Sequence, residues 1–555
     1  MFCVGLLQVD ALTGDSDWLM ELSTQSVDEL TAVEANIEST LQRLYHLRRH
    51  RNSLASPLLR LPTELILIIF ERAIEPDDKN DDYSDEIDFY CSYDDGDVCN
   101  NSDNSSDSLL PKQDFSLLLV LVGVCHQLRE IGITTPRLWT TINLAVPSPA
   151  ELFLKRCNYN PRVIVIPHDR DEEVWVKLEG CKFNGLRSLF FKGVSVGSRD
   201  IGATILEGAA NLSSLDVQAV GTSVKPLPWD PDAPMPHLSV LRLRGYSISW
   251  TSPLLRDLTR LTLDLKGYRN PPGPTPIETF LAALANCPDL ELLELSSTGL
   301  GPPSGQRDNC DVIVQLRRLW RLSLNFKSIS TIGYILSHIG YPESARVKLF
   351  VWSLWDYRRK PHNPSQVIPY NTDTFQHLRG SRALTFLFGD GISAFSADKF
   401  SLCIDEGGYS AELLRLSSEA VRRDTVISLS LRTFSFPLDY DDWGTLLCGF
   451  PRLERIKYHL SRGFPGHTDP FISVFSQPSE GGPAWPELQY LELSREVLIS
   501  KSSARLLERS LEKRKAHGAW LMRIGFFGKE TEEDDTLEFV PPRNLFDEVT
   551  SHPQR

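Results

Sequence analysis

Cys125 and His126 stand side by side, a thiol next to an imidazole that could activate it. Both lie in an apolar helical stretch, where a packed cysteine beside a surface histidine accounts for them without chemistry. Asp78-Lys79-Asn80-Asp81-Asp82 has the oxygen-rich opening of a calcium loop. Its sixth position is Tyr83, where the turn needs glycine, and its twelfth is Phe89, where the ion needs a glutamate, so an EF-hand is rejected. The twelve histidines show no metal-ligand spacing, and none of the ten cysteines forms a C-x-x-C pair. Nucleophile-elbow, phosphate-loop, zinc-protease and dinucleotide motifs do not occur. Arg317, Arg318 and Arg321 surround Trp320 in the manner of a nucleic-acid patch, but the acidic balance of the chain argues against phosphate binding. No catalytic residue, metal site or cofactor is expected.

That balance is itself local. The formal charge is -15, and Glu75–Ser108 alone holds thirteen carboxylates against one lysine, a net of -12. The rest of the 555 residues is near neutral, with 41% hydrophobic and 24% charged side chains, as expected of a globular protein of several domains. Leu65–Phe70 and Leu117–Val124 are far too short to span a bilayer, which takes about 20 residues. The apolar start Met1–Leu7 lacks a basic n-region, so no signal peptide and no membrane association are expected. Sparse cysteines point to a reducing compartment, cytoplasm or nucleus.

Glu29–Arg51 reads as an amphipathic helix. Leu30, Val33, Ile37, Leu44 and Leu47 keep heptad spacing with Thr40 as the polar interruption, and self-association through residues 29–51 is one reading of that seam. Its basic end (Arg48, Arg49, His50, Arg51) suits the helix dipole. Pro62 then sits where a helix can begin. The run Leu65–Phe70 is apolar most of the way round, so it needs burial on two sides: one by its own domain, the other by a partner. The acidic segment cannot offset its ordering entropy and is predicted disordered, with Ser84, Ser92 and Ser106 placed for an acid-directed kinase. Apolar helix signal resumes at Leu117–Val124 and runs on through Cys125–Ile131 to Pro136-Arg137-Leu138-Trp139.

The segments "LLRLPTELILIIFERAI" and "LVGVCHQLREIGITTPRLWTTINL" together resemble an F-box: Leu-Pro-x-Glu-Leu opening, Ile-Phe midway, Val-Cys ahead of a third helix, Pro-x-Leu-Trp closing. The basic helix before them resembles the N-terminal arrangement of F-box proteins from mushroom-forming fungi. The likeness covers roughly residues 25–145. It departs at Leu128, where the family usually has Trp, and in an insert of about 40 residues, Glu75–Asp114. The resemblance implies docking on a Skp adaptor, and through it on a cullin scaffold, by Leu61, Pro62, Leu65, Ile69, Phe70, Val124, Cys125, Leu128 and Trp139.

From residue 180 the pattern apolar-x-x-apolar-x-apolar recurs, beginning at Leu186, Leu212, Leu238, Leu258, Leu290 and Leu319, with later copies from Val426, Leu453 and Leu488. Steps of 26, 26, 20, 32 and 29 residues between the first six suit a leucine-rich solenoid of one strand and one return segment per copy. Ile277–Ala285 and Thr331–Ile339 read as return helices. The Asn or Cys usual three residues past the last Leu is missing: Val194, Tyr246, Thr298 and Lys327 stand there. Trp352–Tyr370 and Phe395–Gly408 fit the period poorly. Ala504–Lys515 reads as a helix, Trp520–Phe527 as a strand, and the acidic remainder from Lys529 as a frayed tail.

The predicted fold is α/β: an N-terminal helical F-box followed by an irregular leucine-rich-repeat-like solenoid. The parts are a leading segment (1–24), the amphipathic helix (25–52), the F-box with its insert at 75–114 (53–145), the repeat domain (150–528) and a flexible tail (529–555). The expected function is a non-catalytic substrate receptor of a Skp–cullin–F-box ubiquitin ligase, its repeats holding an unidentified protein substrate. The alternatives are a leucine-rich-repeat scaffold whose F-box-like bundle merely caps the array, and an enzyme whose site is assembled from distant residues.

Overall fold

The computed structural model describes residues 16–74, 115–144, 147–166, 178–192, 199–227, 235–268, 276–300, 313–352, 376–405, 421–433, 450–460, 470–494, 501–527 and 546–552, apart from one or two positions at a time within these ranges. The predicted disordered insert and its candidate phosphoserines lie outside the described residues. The chain divides into two compact units, Met1–Thr141 with Glu151–Tyr159, and Ile142–Ala150 with Asn160–Arg555.

The first unit opens with α1 (Ser16–Ala55), longer than the heptad seam alone predicts. Three short helices follow: α2 (Thr63–Ile74), α3 (Phe115–Val124) and α4 (His126–Thr134), closed by a 3-10 turn at Pro136–Trp139. Pro62 does start α2, its carbonyl accepting from the Leu65 and Ile66 amides at 3.0 and 3.2 Å. The helices α2, α3 and α4 pack on one another. Ile66 and Phe70 of α2, Leu118 and Val122 of α3, and Leu128 and Ile131 of α4 form the core, each pair three or four residues apart on one helical face. Gly132 permits the closest approach, since a Cβ there would lie 2.4 Å from Val122 Cγ1. Trp139 seals the bundle. Its Nε1 donates to the Gly132 carbonyl at 2.7 Å, Phe153 meets it edge-on at 4.7 Å, and the Arg156 guanidinium lies 4.0 Å over the ring.

The second unit is built on a seventeen-stranded sheet. In chain order its strands are Thr141–Asn143, Val163–Ile166, Ser188–Lys192, Ser214–Gln218, Val240–Arg244, Arg260–Asp264, Leu292–Ser296, Arg321–Phe326 and Arg346–Trp352 (β1–β9). Then come Ala383–Gly389, Ile392–Ala397, Phe400–Asp405, Ser428–Thr433, Arg455–Leu460, Tyr490–Ser494, Leu521–Phe527 and Phe546–His552 (β10–β17). From β2 to β9 each strand pairs in parallel with the next. The registers align the second leucine of the first six sequence copies, and Val347 extends the row: Leu189, Leu215, Leu241, Leu261, Leu293, Leu322 and Val347 form one continuous column, all buried. The third apolar position forms a parallel column and the first packs beneath them, so the three-residue signature is the cross-section of the core.

Just before the strands, at the end opposite the missing asparagine positions, the hydroxyls of Ser213, Ser239 and Thr259, each directly after a first leucine, donate to the carbonyls of Arg187, Ser213 and Ser239 at 3.0–3.1 Å. The same carbonyls also accept two backbone amides from the next copy. Of the poorly periodic stretch Phe395–Gly408, the described part up to Asp405 belongs to an antiparallel meander. Strands β10, β11 and β12 pair antiparallel in turn, while β12 continues the row from β9 and β10 passes it on to β13, both in parallel. Phe386, Phe395 and Phe400 fill its core.

Helices Ile277–Ala285 and Ile329–His338 stand where the sequence predicts return helices, and Lys501–Ala516 where it predicts the amphipathic helix Ala504–Lys515. The tail differs. Phe546–His552 is β17, parallel to β16, because an open strand edge offers a row of free backbone groups to the next extended segment.

Gly245 marks the tightest turn of the row, with φ +70° and a virtual Cβ 2.4 Å from Tyr268 Cε1 and 2.8 Å from Ala219 Cβ. Gly221 also has positive φ (+94°) but open space around it. Gly221→Ala is expected to cost the backbone strain alone, ~1–2 kcal/mol, and Gly245→Ala a further ~1–3 kcal/mol of overpacking. Thermal midpoints of the two variants check the ordering.

Candidate functional site

The faces of α2–α4 turned away from their own core are also apolar. Leu65 is 45% exposed, Ile69 41% and Val124 64%; Ile68, Leu119, Val120 and Ile133 are comparably open. Pro62 is exposed, while Leu61 and Cys125 are half-buried. Seven exposed aliphatic side chains on three short helices exceed what scattered surface residues require, and such surfaces serve as interaction sites. Short polar links hold the helices in place: Arg137 Nε to Glu71 Oε1 at 2.7 Å, Arg129 Nε to the Val122 carbonyl at 3.1 Å, and Gln127 Nε2 to the Leu59 carbonyl at 3.4 Å.

Phe70, Leu128 and Trp139, expected at a docking face, lie inward instead: Phe70 and Trp139 are wholly buried and Leu128 is 2% exposed. The reason is helical phase. Phe70 shares the face of Ile66, whereas Leu65 and Ile69 share a neighbouring one about 100° round the helix. Leu128 accordingly fills core space in α4. Leu65, Ile69 and Val124 keep the exposure that docking needs. Cys125 heads α4, its carbonyl accepting from the Arg129 amide at 3.0 Å, and the exposed His126 lies 3.8 Å from Glu130, an ordinary helix-surface pair.

A second candidate surface is the outer face of the sheet. Residues between the buried columns alternate outward. Arg242, Arg244, Arg260, Arg321, Arg346 and Lys348 stand there with Asp216, Asp264 and Glu294, in registers that set Asp216 beside Arg242 and Arg244 beside Asp264. Glu294 bridges Thr262 Oγ1 at 3.3 Å and Arg321 Nε at 3.1 Å. Arg318 meets Asp289 at 3.3 Å, so two arginines around Trp320 are matched by carboxylates rather than poised for phosphate. Burial pushes the Asp216 and Asp264 carboxyls above the ordinary 3.8, against the pull of Arg244 on both. Burial also raises Tyr246, at one of the positions of the missing asparagine, to about 12. These polar columns are not legible in the sequence, because only the strand register shows which charges adjoin. The polar residues between the leucines were their visible signal.

Among the described residues no cluster of His, Cys, Asp or Glu is placed to hold a metal ion, and no helix is long and apolar enough to cross a membrane. Compared with known proteins, the chain matches no family model and no curated protein sequence.

Two outcomes follow from burial. Trp139→Ala, which leaves a cavity and removes one of the donors to the Gly132 carbonyl, is expected to destabilise the helical unit by ~3–5 kcal/mol in denaturant unfolding. Asp216 binds its proton more tightly folded than unfolded, so its contribution to stability falls as pH rises above about 3.8. Asp216→Asn removes that burden. Its thermal midpoint is expected to exceed the parent's at pH 7, with the gap closing toward pH 4.

Proposed function

We propose that this chain is the substrate-receptor subunit of a Skp–cullin–F-box ubiquitin ligase, with the helical unit as an F-box and the strand row as a leucine-rich-repeat-like solenoid that presents a protein substrate. The observation that carries the reading is the two-sided apolar character of α2: Ile66 and Phe70 serve its own core, while Leu65, Ile68 and Ile69 are left for a partner. The ordered signature Leu-Pro-x-Glu-Leu, Ile-Phe, Val-Cys and Pro-x-Leu-Trp falls on the start of α2, its middle, the α3–α4 junction and the closing turn. The docking set is therefore Leu61, Pro62, Leu65, Ile69, Val124 and Cys125, with Phe70, Leu128 and Trp139 shaping the bundle beneath it.

In this role the protein performs no chemistry. It brings a substrate, held on the outer face of the sheet, to the transferring partners, and works in the cytoplasm or nucleus. Charged positions such as Arg242, Arg244, Asp216 and Asp264 suit selection of a polar protein surface, since complementary charge chiefly sets specificity and encounter rate.

Leu65→Asp with Ile69→Asp changes two exposed side chains and leaves the core intact. Each apolar anchor buried in a complex is worth ~1.5–3 kcal/mol. The double variant is expected to bind a purified Skp adaptor more weakly by over tenfold, a change of about 1.4 kcal/mol or more. Calorimetric titration with the full chain tests this. A folded double variant that binds as the parent does overturns the assignment.

A further inference from the structure

The described part of α1 presents a largely apolar seam to solvent. Leu30, Val33, Ile37, Leu44, Leu47 and Leu54 follow heptad spacing from one end to the other, and all are exposed, Leu30 and Leu54 by 59% and Leu47 by 61%. Only Thr40 and Arg51 interrupt the seam. Thr40 is accommodated, because its hydroxyl donates to the Asn36 carbonyl at 2.8 Å and so leaves its methyl group free to pack. Forty residues make a helix of about 60 Å, well beyond the ~12–15 residues at which isolated helices are marginal. An apolar stripe of this length in water calls for a second helix.

Charge identifies the occupant. From Asp28 to Thr40 the helix carries Asp28, Glu29, Glu34 and Glu38 and no basic side chain. From Leu41 to Leu54 it carries Arg43, Arg48, Arg49 and Arg51 and no acidic one. Two copies laid parallel and in register set Glu29 beside Glu34 and Arg43 beside Arg48, the positions that flank a coiled-coil seam. Both contacts repel. Two copies laid antiparallel put each acidic half along the other's arginine half, and the seam still closes: Leu30 meets Leu47 and Val33 meets Leu44. We propose that this chain forms a dimer through an antiparallel coiled coil of α1 with a second copy of itself. The seam residues lie on α1, and the proposed docking residues lie on and beside α2–α4, so the two surfaces share no side chain.

Sedimentation of the full chain at micromolar concentration is the test, run on the parent and two variants. Parent protein is expected to be dimeric, and Ile37→Asp with Leu44→Asp, both on the exposed seam, monomeric with unchanged helical content. Arg43→Glu with Arg48→Glu makes both halves of the helix acidic; the antiparallel dimer is expected to weaken more than tenfold and to recover as salt is raised. Arg49 is left in place because it contacts Glu130 at 3.5 Å. A monomeric parent, or an Arg43→Glu, Arg48→Glu variant that dimerises as tightly as the parent, overturns the proposal. The second result is the one a parallel pair would give.

Discussion

A strand such as Ser214–Gln218 has two buried side chains and cannot bury them alone. Leu215 and Val217 leave water only because Leu189 and Phe191 stand beside them on one side and Leu241 and Leu243 on the other. That nearest-neighbour dependence runs from Ile164 to Val347 and resumes from Leu384 to Ile524. It fixes the register, because a slip of one residue would turn every leucine outward and every outward charge inward. It also fixes what faces solvent. Arg242, Asp216, Arg244 and Asp264 adjoin because the leucines between them must align.

Much of this is readable in the sequence, since a column of leucines repeats wherever its strand does. The copies at Leu186, Leu212, Leu238, Leu258, Leu290 and Leu319 all fall in the core. Three copies outside that pattern have one physical cause. In Pro161/Ile164/Ile166, Ser344/Val347/Leu349 and Ser381/Leu384/Phe386 the first position holds proline or serine, so the apolar signature loses its opening letter while the two strand positions keep theirs. The meander was seen only as a lapse in period, because antiparallel insertion does not change the alternation within a strand. The strand at Phe546–His552 was hidden by composition: the acidic run before it dominates the reading, whereas pairing depends on the open edge of β16.

In the helical unit the sequence located the helices well but not their phase. An apolar run such as Leu65–Phe70 has hydrophobic residues on every side, so its pattern alone does not say which of them meet the core. Packing decides it. Gly132 lets α4 approach Val122, Trp139 closes over Gly132, and Phe70 and Leu128 are drawn inward. The residues left outside, Leu65, Ile69 and Val124, are the ones a partner can reach. The surface is thus a by-product of how the core is filled, and it has a boundary that a list of apolar residues lacks.

The proposed docking requires an adaptor to cover that outer face. Amide hydrogen exchange of the full chain, with and without a stoichiometric Skp adaptor, measures coverage segment by segment. Slowed exchange in Leu61–Ile74 and Leu119–Thr134, with the strands from Ser188 to Phe326 unchanged, is the expected result. Exchange unaltered in both helical segments, or slowed only in the strands, would contradict it.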